Sequence, residues 1–244
     1  ATIHRALTLA LALLLIPVLV LAQPTIDGNL SDSDYMTLAK KQNKNSSFGS
    51  AIDVQEIVYY PDDANTALYL GVKGQLDTGS NNGIGIFINV AGSSSPSGRS
   101  AGTSLAVSGG GHFISGNSGN DPNFAADFEV DAMYAFNTGS GSGSVFFDAA
   151  NVTGGSPATT FVGSSDQSGT AATGTGPGGE TITFAVDNSA GGDTGIELEI
   201  PFAELGASPS MSVEVFAVVV SSTAFFSNVT VPGNYTGEEQ PGFN

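Results

Sequence analysis

The stretch Val54-Gln-Glu-Ile-Val-Tyr-Tyr-Pro-Asp-Asp-Ala-Asn-Thr-Ala-Leu-Tyr-Leu-Gly-Val-Lys73 decides the fold class. Val54–Tyr60 is rich in β-branched and aromatic residues, and Pro61-Asp62-Asp63-Ala64-Asn65 carries turn chemistry. Thr66–Lys73 then places Leu68, Leu70 and Val72 on one face. Two such runs about a turn predict a β-hairpin. The same period of two recurs along the chain. Gly83–Val90 aligns Ile84, Ile86, Ile88 and Val90, and Asp127–Phe136 aligns Phe128, Val130, Ala132, Tyr134 and Phe136. Glu180–Asp187 aligns Ile182, Phe184 and Val186, and Gly195–Ile200 aligns Ile196, Leu198 and Ile200. Met211–Val220 ends apolar on both faces and reads as a central strand.

Alternation repeated this often predicts an all-β chain, an antiparallel β-sandwich of jelly-roll-like kind, each sheet keeping one wet face. Helix signals are few. Short turns are expected at Asp32–Lys41 and at Pro201–Leu205, the second opened by Pro201 and stopped by Gly206. Gly92–Gly102 and Ser164–Gly179 read as loops, the latter with the composition of a flexible linker. Glu180–Val220 holds too few strands for a core of its own, so residues 23–244 read as a single sandwich domain with a Gly/Ser-rich loop near 164–179.

Residues 1–22 read as a secretory signal peptide. His4 and Arg5 precede an apolar run, Ala6–Leu21, and Val20 and Ala22 form a small-residue cleavage site. The run is short for a membrane span, which needs about 20 residues, and it contains Pro17. A retained anchor or assembly helix is the alternative. The expected location is secreted or cell-surface, with no membrane span once the signal is cleaved. The turn-rich end suggests a polypeptide that continues past Asn244.

All 23 acidic residues of the 244 lie after residue 22, against Lys40, Lys41, Lys44, Lys73 and Arg99. With Arg5 set aside, five basic residues against 23 acidic ones give that part a formal charge of −18. Such a surface repels phosphate backbones and anionic lipid, so nucleic acid is excluded as a partner. It attracts divalent cations and basic partners. The absence of cysteine removes disulfides, thiol nucleophiles and thiolate metal sites together. Tryptophan is absent too, and His112 is the one histidine after residue 22.

Three segments carry a resemblance. Thr25-Ile-Asp-Gly-Asn-Leu-Ser-Asp-Ser-Asp-Tyr35 resembles the "IDG-x-L-D" opening of family 9 carbohydrate-binding modules and related DOMON-like sandwiches. Tyr59-Tyr-Pro-Asp-Asp-Ala-Asn-Thr-Ala-Leu-Tyr-Leu70 is similar to their next hairpin. Gly195-Ile-Glu-Leu-Glu-Ile-Pro-Phe-Ala-Glu-Leu-Gly206 is similar to their late strand and turn. The resemblance implies a β-sandwich that binds glycan ends or haem-like ligands, often with structural calcium. This chain departs from it by lacking the paired tryptophans that clamp a sugar. Haem would need His112 with Met36, Met133 or Met211. Signal, sandwich and open C-terminus also resemble surface proteins of the Bacteroidetes type.

Candidate sites follow from residue type. Tyr59, Tyr69 and Phe87 fall on polar-leaning strand faces and are the expected ligand contacts, with cross-strand pairing as the alternative. Asp27, Asp32 and Asp34 with Asn29, and Asp62 and Asp63 with Asn65, are oxygen-rich turns suited to calcium, or else ordinary Asx turns. Asp127, Glu129 and Asp131 share one strand face at steps of about 7 Å, a cation site or a solvated face, and Glu197 and Glu199 repeat the pattern. Gly98-Arg99-Ser100-Ala101-Gly102 matches the G-x-S-x-G nucleophile pattern, but it leads into Thr103–Val107, which reads as a strand where a helix is required. Sequons at Asn29, Asn45, Asn151, Asn228 and Asn234 matter only in a glycosylating source.

The expected function is a non-catalytic, carbohydrate-binding secreted or surface module, with calcium as its one candidate cofactor. Its expected partner is an extracellular glycan or another surface protein. A structural or adhesive filament protein is the alternative, and a glycoside hydrolase is third.

Overall fold

A computed structural model describes residues 23–41, 48–92, 98–105, 107, 128–139, 141, 143–154, 157–189, 191–221 and 226–232. The strands are β1 (Met36–Lys40), β2 (Asp53–Asp62), β3 (Ala67–Gln75), β4 (Gly83–Ala91), β5 (Ala132–Asn137) and β6 (Ser144–Asn151). They continue as β7 (Thr160–Asp166), β8 (Ala172–Thr175), β9 (Thr181–Val186), β10 (Gly195–Pro201), β11 (Ser212–Val220) and β12 (Phe226–Val231). One sheet runs β1-β2-β3-β10-β9-β8 and the other β12-β11-β4-β5-β6-β7. Every pairing is antiparallel. The fold is the antiparallel β-sandwich that the alternation implies. Among the described residues no helix is long and apolar enough to cross a membrane.

The predicted stripes meet between the sheets. Leu68, Leu70 and Val72 of β3, Ile196, Leu198 and Ile200 of β10 and Ile84, Ile86 and Ile88 of β4 share one core. Phe147 of β6 joins the layers: its ring stacks on Phe136 at 4.4 Å within its own sheet and meets Phe184 of the other at 5.1 Å. Each such side chain taken out of water contributes about 1.5–3 kcal/mol before entropy is charged against it.

Several local expectations fail, each for a tertiary reason. Ser164–Gly179 is no linker; it contains the end of β7 and all of β8. These edge strands belong to different sheets, and their backbones nearly touch. A Cβ on Gly174 would lie 1.9 Å from the Val162 carbonyl oxygen, so small residues there permit closure of the sandwich. The helical turn expected within Asp32–Lys41 is replaced by β1, whose ladder to β2 offers more hydrogen bonds than one isolated turn. At Pro201–Leu205 the expectation is met, with a 3-10 turn over Phe202–Leu205 closed by Gly206 in the left-handed conformation.

The outer faces are not simply wet. Leu30, 1% exposed, lies over β3 where Gly71 leaves room: a Cβ there would meet Leu30 Cδ2 at 2.5 Å and Val58 Cγ2 at 2.7 Å. On the other sheet Leu105, Val107 and Val130 cover Phe87, Met133, Ala135, Val218 and Val220 as a second apolar cluster. Thr103–Val107 therefore acts as a covering segment, and its described residues are not strand. Val130 departs from the stripe expected for Asp127–Phe136, because a bridge to Arg99 holds it before β5 begins.

Candidate functional site: a cleft between the sheets

β12 pairs with β11 only from Ala217 to Val220. Beside the leading half of β11 a cleft of about 290 Å³ opens between β1–β3 of one sheet and β4 and β11 of the other. Leu68, Leu70, Val90 and Val215 form its buried floor. Leu38, Tyr59 and Met211 line its walls, and Asp63, Ser208, Ser210 and Ser212 are exposed at its rim. Leu38 is a bulge residue, skipped in the register between Thr37 and Ala39, and is 40% exposed. Among the described residues Asp63 is the only charged side chain in this lining.

The buried carboxylates lie elsewhere and are committed to backbone amides. Glu197 of β10, fully buried, accepts hydrogen bonds from the Asp27 and Gly28 amides at 2.8 Å each and from the Tyr35 hydroxyl at 2.5 Å. Burial pushes its carboxyl up to about 7, and the three donors oppose that rise. Glu204 accepts the Gly178 and Glu180 amides at 2.8 and 3.1 Å, and burial raises it too. Asp131 accepts the Val90 amide at 2.7 Å; burial and the charge of Glu129 raise it. Asp62 accepts from Gln23, from the Asn65 amide at 3.1 Å and from the Asn65 side chain at 2.9 Å, and these donors outweigh burial and lower it. Each of the four ties a turn or chain segment to a strand. None lines the cleft.

Of the expected ligand contacts, Tyr59 alone reaches the cleft. Tyr69 is 4% exposed and packs on Tyr60 at 5.8 Å. Phe87 is 1% exposed and lies 5.9 Å from Phe216 under the outer apolar cluster. The exposure expected for both is absent, because covering segments and neighbouring rings claim those faces.

The oxygen-rich turns are held by their own amides. Asp27 accepts from the Asn29 amide at 2.9 Å and Asp32 from Thr25 at 2.9 Å, which is Asx-turn and strap chemistry. Asp34 is half-buried near Tyr60, and Asp63 is exposed at the cleft. Glu129 accepts the Gly98 amide at 2.9 Å, whereas Asp131 is 2% exposed, so the expected solvated row of carboxylates is not formed. Asp127 and His112 lie outside the described residues. Glu197, expected on a wet face, is the most deeply buried of the carboxylates. Among the described residues no three acidic or imidazole side chains converge as a cation cage. Ser100 follows the Arg99 bridge and opens a turn, and the described residues 101–105 after it form no helix, as a nucleophile elbow would require.

Leu38 and the serines of 208–212 escaped the sequence reading, and Met211 was considered there only as a haem ligand and a strand start. The one signal for Leu38 was an apolar residue close to the polar Thr37, Lys40 and Lys41. Two of the segments that carry the family resemblance do meet, since Glu197 binds the amides of Asp27 and Gly28. Searches with this chain found no matching family model, no matching curated protein and no matching solved structure.

Proposed function

We propose that the protein is a non-catalytic extracellular binding module of the carbohydrate-binding kind, and that it seats its ligand in the cleft. The observation that carries this reading is the cleft lining: the Tyr59 ring and an apolar floor, edged by serine hydroxyls and Asp63. A sugar ring presents an apolar C–H face and a hydroxyl edge, which such a lining complements. The non-catalytic part is supported by the carboxylates. Glycoside hydrolysis ordinarily takes two facing carboxyl groups, while among the described residues Asp63 is the only one in the lining. Export is supported by the apolar run of residues 6–21.

The test is depletion of the protein from solution by a panel of insoluble polysaccharides. Selective loss onto one or two glycans is expected, weakened roughly tenfold by Tyr59→Ala and retained by Tyr59→Phe, the value of one aromatic contact. No loss on any glycan overturns the reading.

A second reading, a structural or adhesive domain that binds other proteins, is favoured by a separate observation. The leading half of β11 is flanked by β4 alone among the described residues.

A further inference from the structure

We propose that the cleft and the leading half of β11 together accept an extended basic peptide segment of a partner protein, added as a strand beside Ser212–Val215. The inference rests on the cleft being the binding seat and deepens the second reading, a domain that binds other proteins, by naming the chemistry of the partner.

Backbone geometry comes first. Ser212–Val215 pair with Ala91–Ile88 of β4 on one side. On the other side the described part of β12 ends at Val231, opposite Ala217. The outward N–H and C=O groups of this stretch are a template for one more strand. A strand placed there continues the row of β12, and its alternate side chains point between the sheets.

Side chains set the sequence pattern. Val213 and Met211 are half-buried, and Leu38 across the cleft is 40% exposed, so among the described residues this stretch of the sandwich lacks one wall. Inward residues of an added strand would sit about 5 Å from Val213 and Val215 and cover all three. The incoming segment therefore alternates apolar with polar residues.

Charge selects the partner. Asp63 lines the cleft, Glu214 is exposed on the edge strand itself, and the whole chain carries −17. A second copy would bring like charge to the same place, at a cost in both rate and affinity. A segment flanked by lysine or arginine gains on both counts.

The probe is a labelled peptide, Lys-Lys-Val-Thr-Val-Thr-Val-Lys-Lys, titrated into the full chain at low salt and read by fluorescence anisotropy and amide hydrogen exchange. Binding at roughly micromolar concentration is expected for so short an interface, with new protection confined to Ser212–Val215. A peptide with glutamate flanks, or with the alternation shuffled, should bind at least tenfold more weakly. Asp63→Lys should cost the basic peptide several-fold, and Val213→Lys should abolish binding. Asp63 is exposed, whereas Val213 is half-buried against the core, so Val213→Thr, close to it in volume, backs up the lysine variant and should weaken binding several-fold. Equal binding of all three peptides, or none, overturns the proposal. Alternate amides of Ser212–Val215 point to β4 and are protected by that pairing. Protection in the chain alone of the amides that point away from β4 also overturns the proposal: independent of concentration it marks the chain's own continuation as occupant, and rising with concentration it marks a second copy. Glycan depletion without peptide binding leaves the module standing and removes strand addition. Peptide binding without glycan depletion does the reverse.

Discussion

Glu197 shows how a single residue can tie a sequence signature to stability. Its carboxylate carries the turn at Asp27–Gly28 and the Tyr35 hydroxyl on the outer face of a strand. Because burial raises its folded value to about 7 from an ordinary 4.5, the folded state holds a proton that the unfolded chain releases earlier. Its contribution is therefore full below about 4.5 and is lost as pH rises through about 7, amounting to about 3 kcal/mol. Glu197→Gln keeps an oxygen for the two amides and a donor for Tyr35, so the variant should lose this slope while staying folded. Urea midpoints of both proteins at pH 5 and pH 8 check this; parallel changes in the two would refute it. Glu197→Ala, which orphans two amides, should cost about 2–3 kcal/mol at either pH. Tyr134 offers the opposite case. Its hydroxyl is fully buried with no hydrogen-bond partner among the described residues, so Tyr134→Phe should leave stability unchanged or raise it by about 1 kcal/mol in the same melts. A loss of that size would mean the hydroxyl has a partner after all.

At the level of elements, legibility followed hydrophobic period. The stripes of β3, β4, β9 and β10 were readable because alternate residues of each face the one core between the sheets. The covers and edges were not, because their composition answers to a neighbour remote in sequence. The linker-like run Ser164–Gly179 is rich in glycine since β8 must cross Val162 of β7 at backbone contact, while Gly71 in an otherwise apolar strand makes room for Leu30. These two glycines should respond differently to alanine. Gly174→Ala drives a Cβ into a carbonyl and should cost about 3 kcal/mol or more. Gly71→Ala meets two movable side-chain ends and should cost about 1–2 kcal/mol. The second cost should shrink when Leu30→Ala is present, a coupling visible in a double-mutant cycle of urea midpoints. Additive costs would mean that Leu30 does not fill the space above Gly71.

Across the whole molecule, composition spoke more about charge than about site. The cleft depends on where β12 stops against β11 and on a bulge at Leu38, both features of register, which no window of sequence displays. The net charge of −17, in contrast, is readable at once and bears on the folded state as a body. Among the described residues the cations that form ion pairs are Lys40, Lys41 and Lys73, with Glu56, Asp53 and Asp193 as their partners. Lys40–Glu56 and Lys73–Asp193 each have one exposed partner, and Lys41–Asp53 and Lys73–Glu56 are half-buried; pairs near the surface are worth up to about 1 kcal/mol each and weaken in salt. Repulsion among the remaining carboxylates opposes compaction and is also screened once the Debye length falls to about 8–10 Å. With so many more anions than cations, relief of repulsion should outweigh loss of the pairs. Stability should therefore rise as sodium chloride goes from about 10 to about 200 mM, a range in which screening changes most. A urea midpoint that falls over this range would place the lysine pairs, rather than the apolar sandwich, at the centre of what holds the protein together.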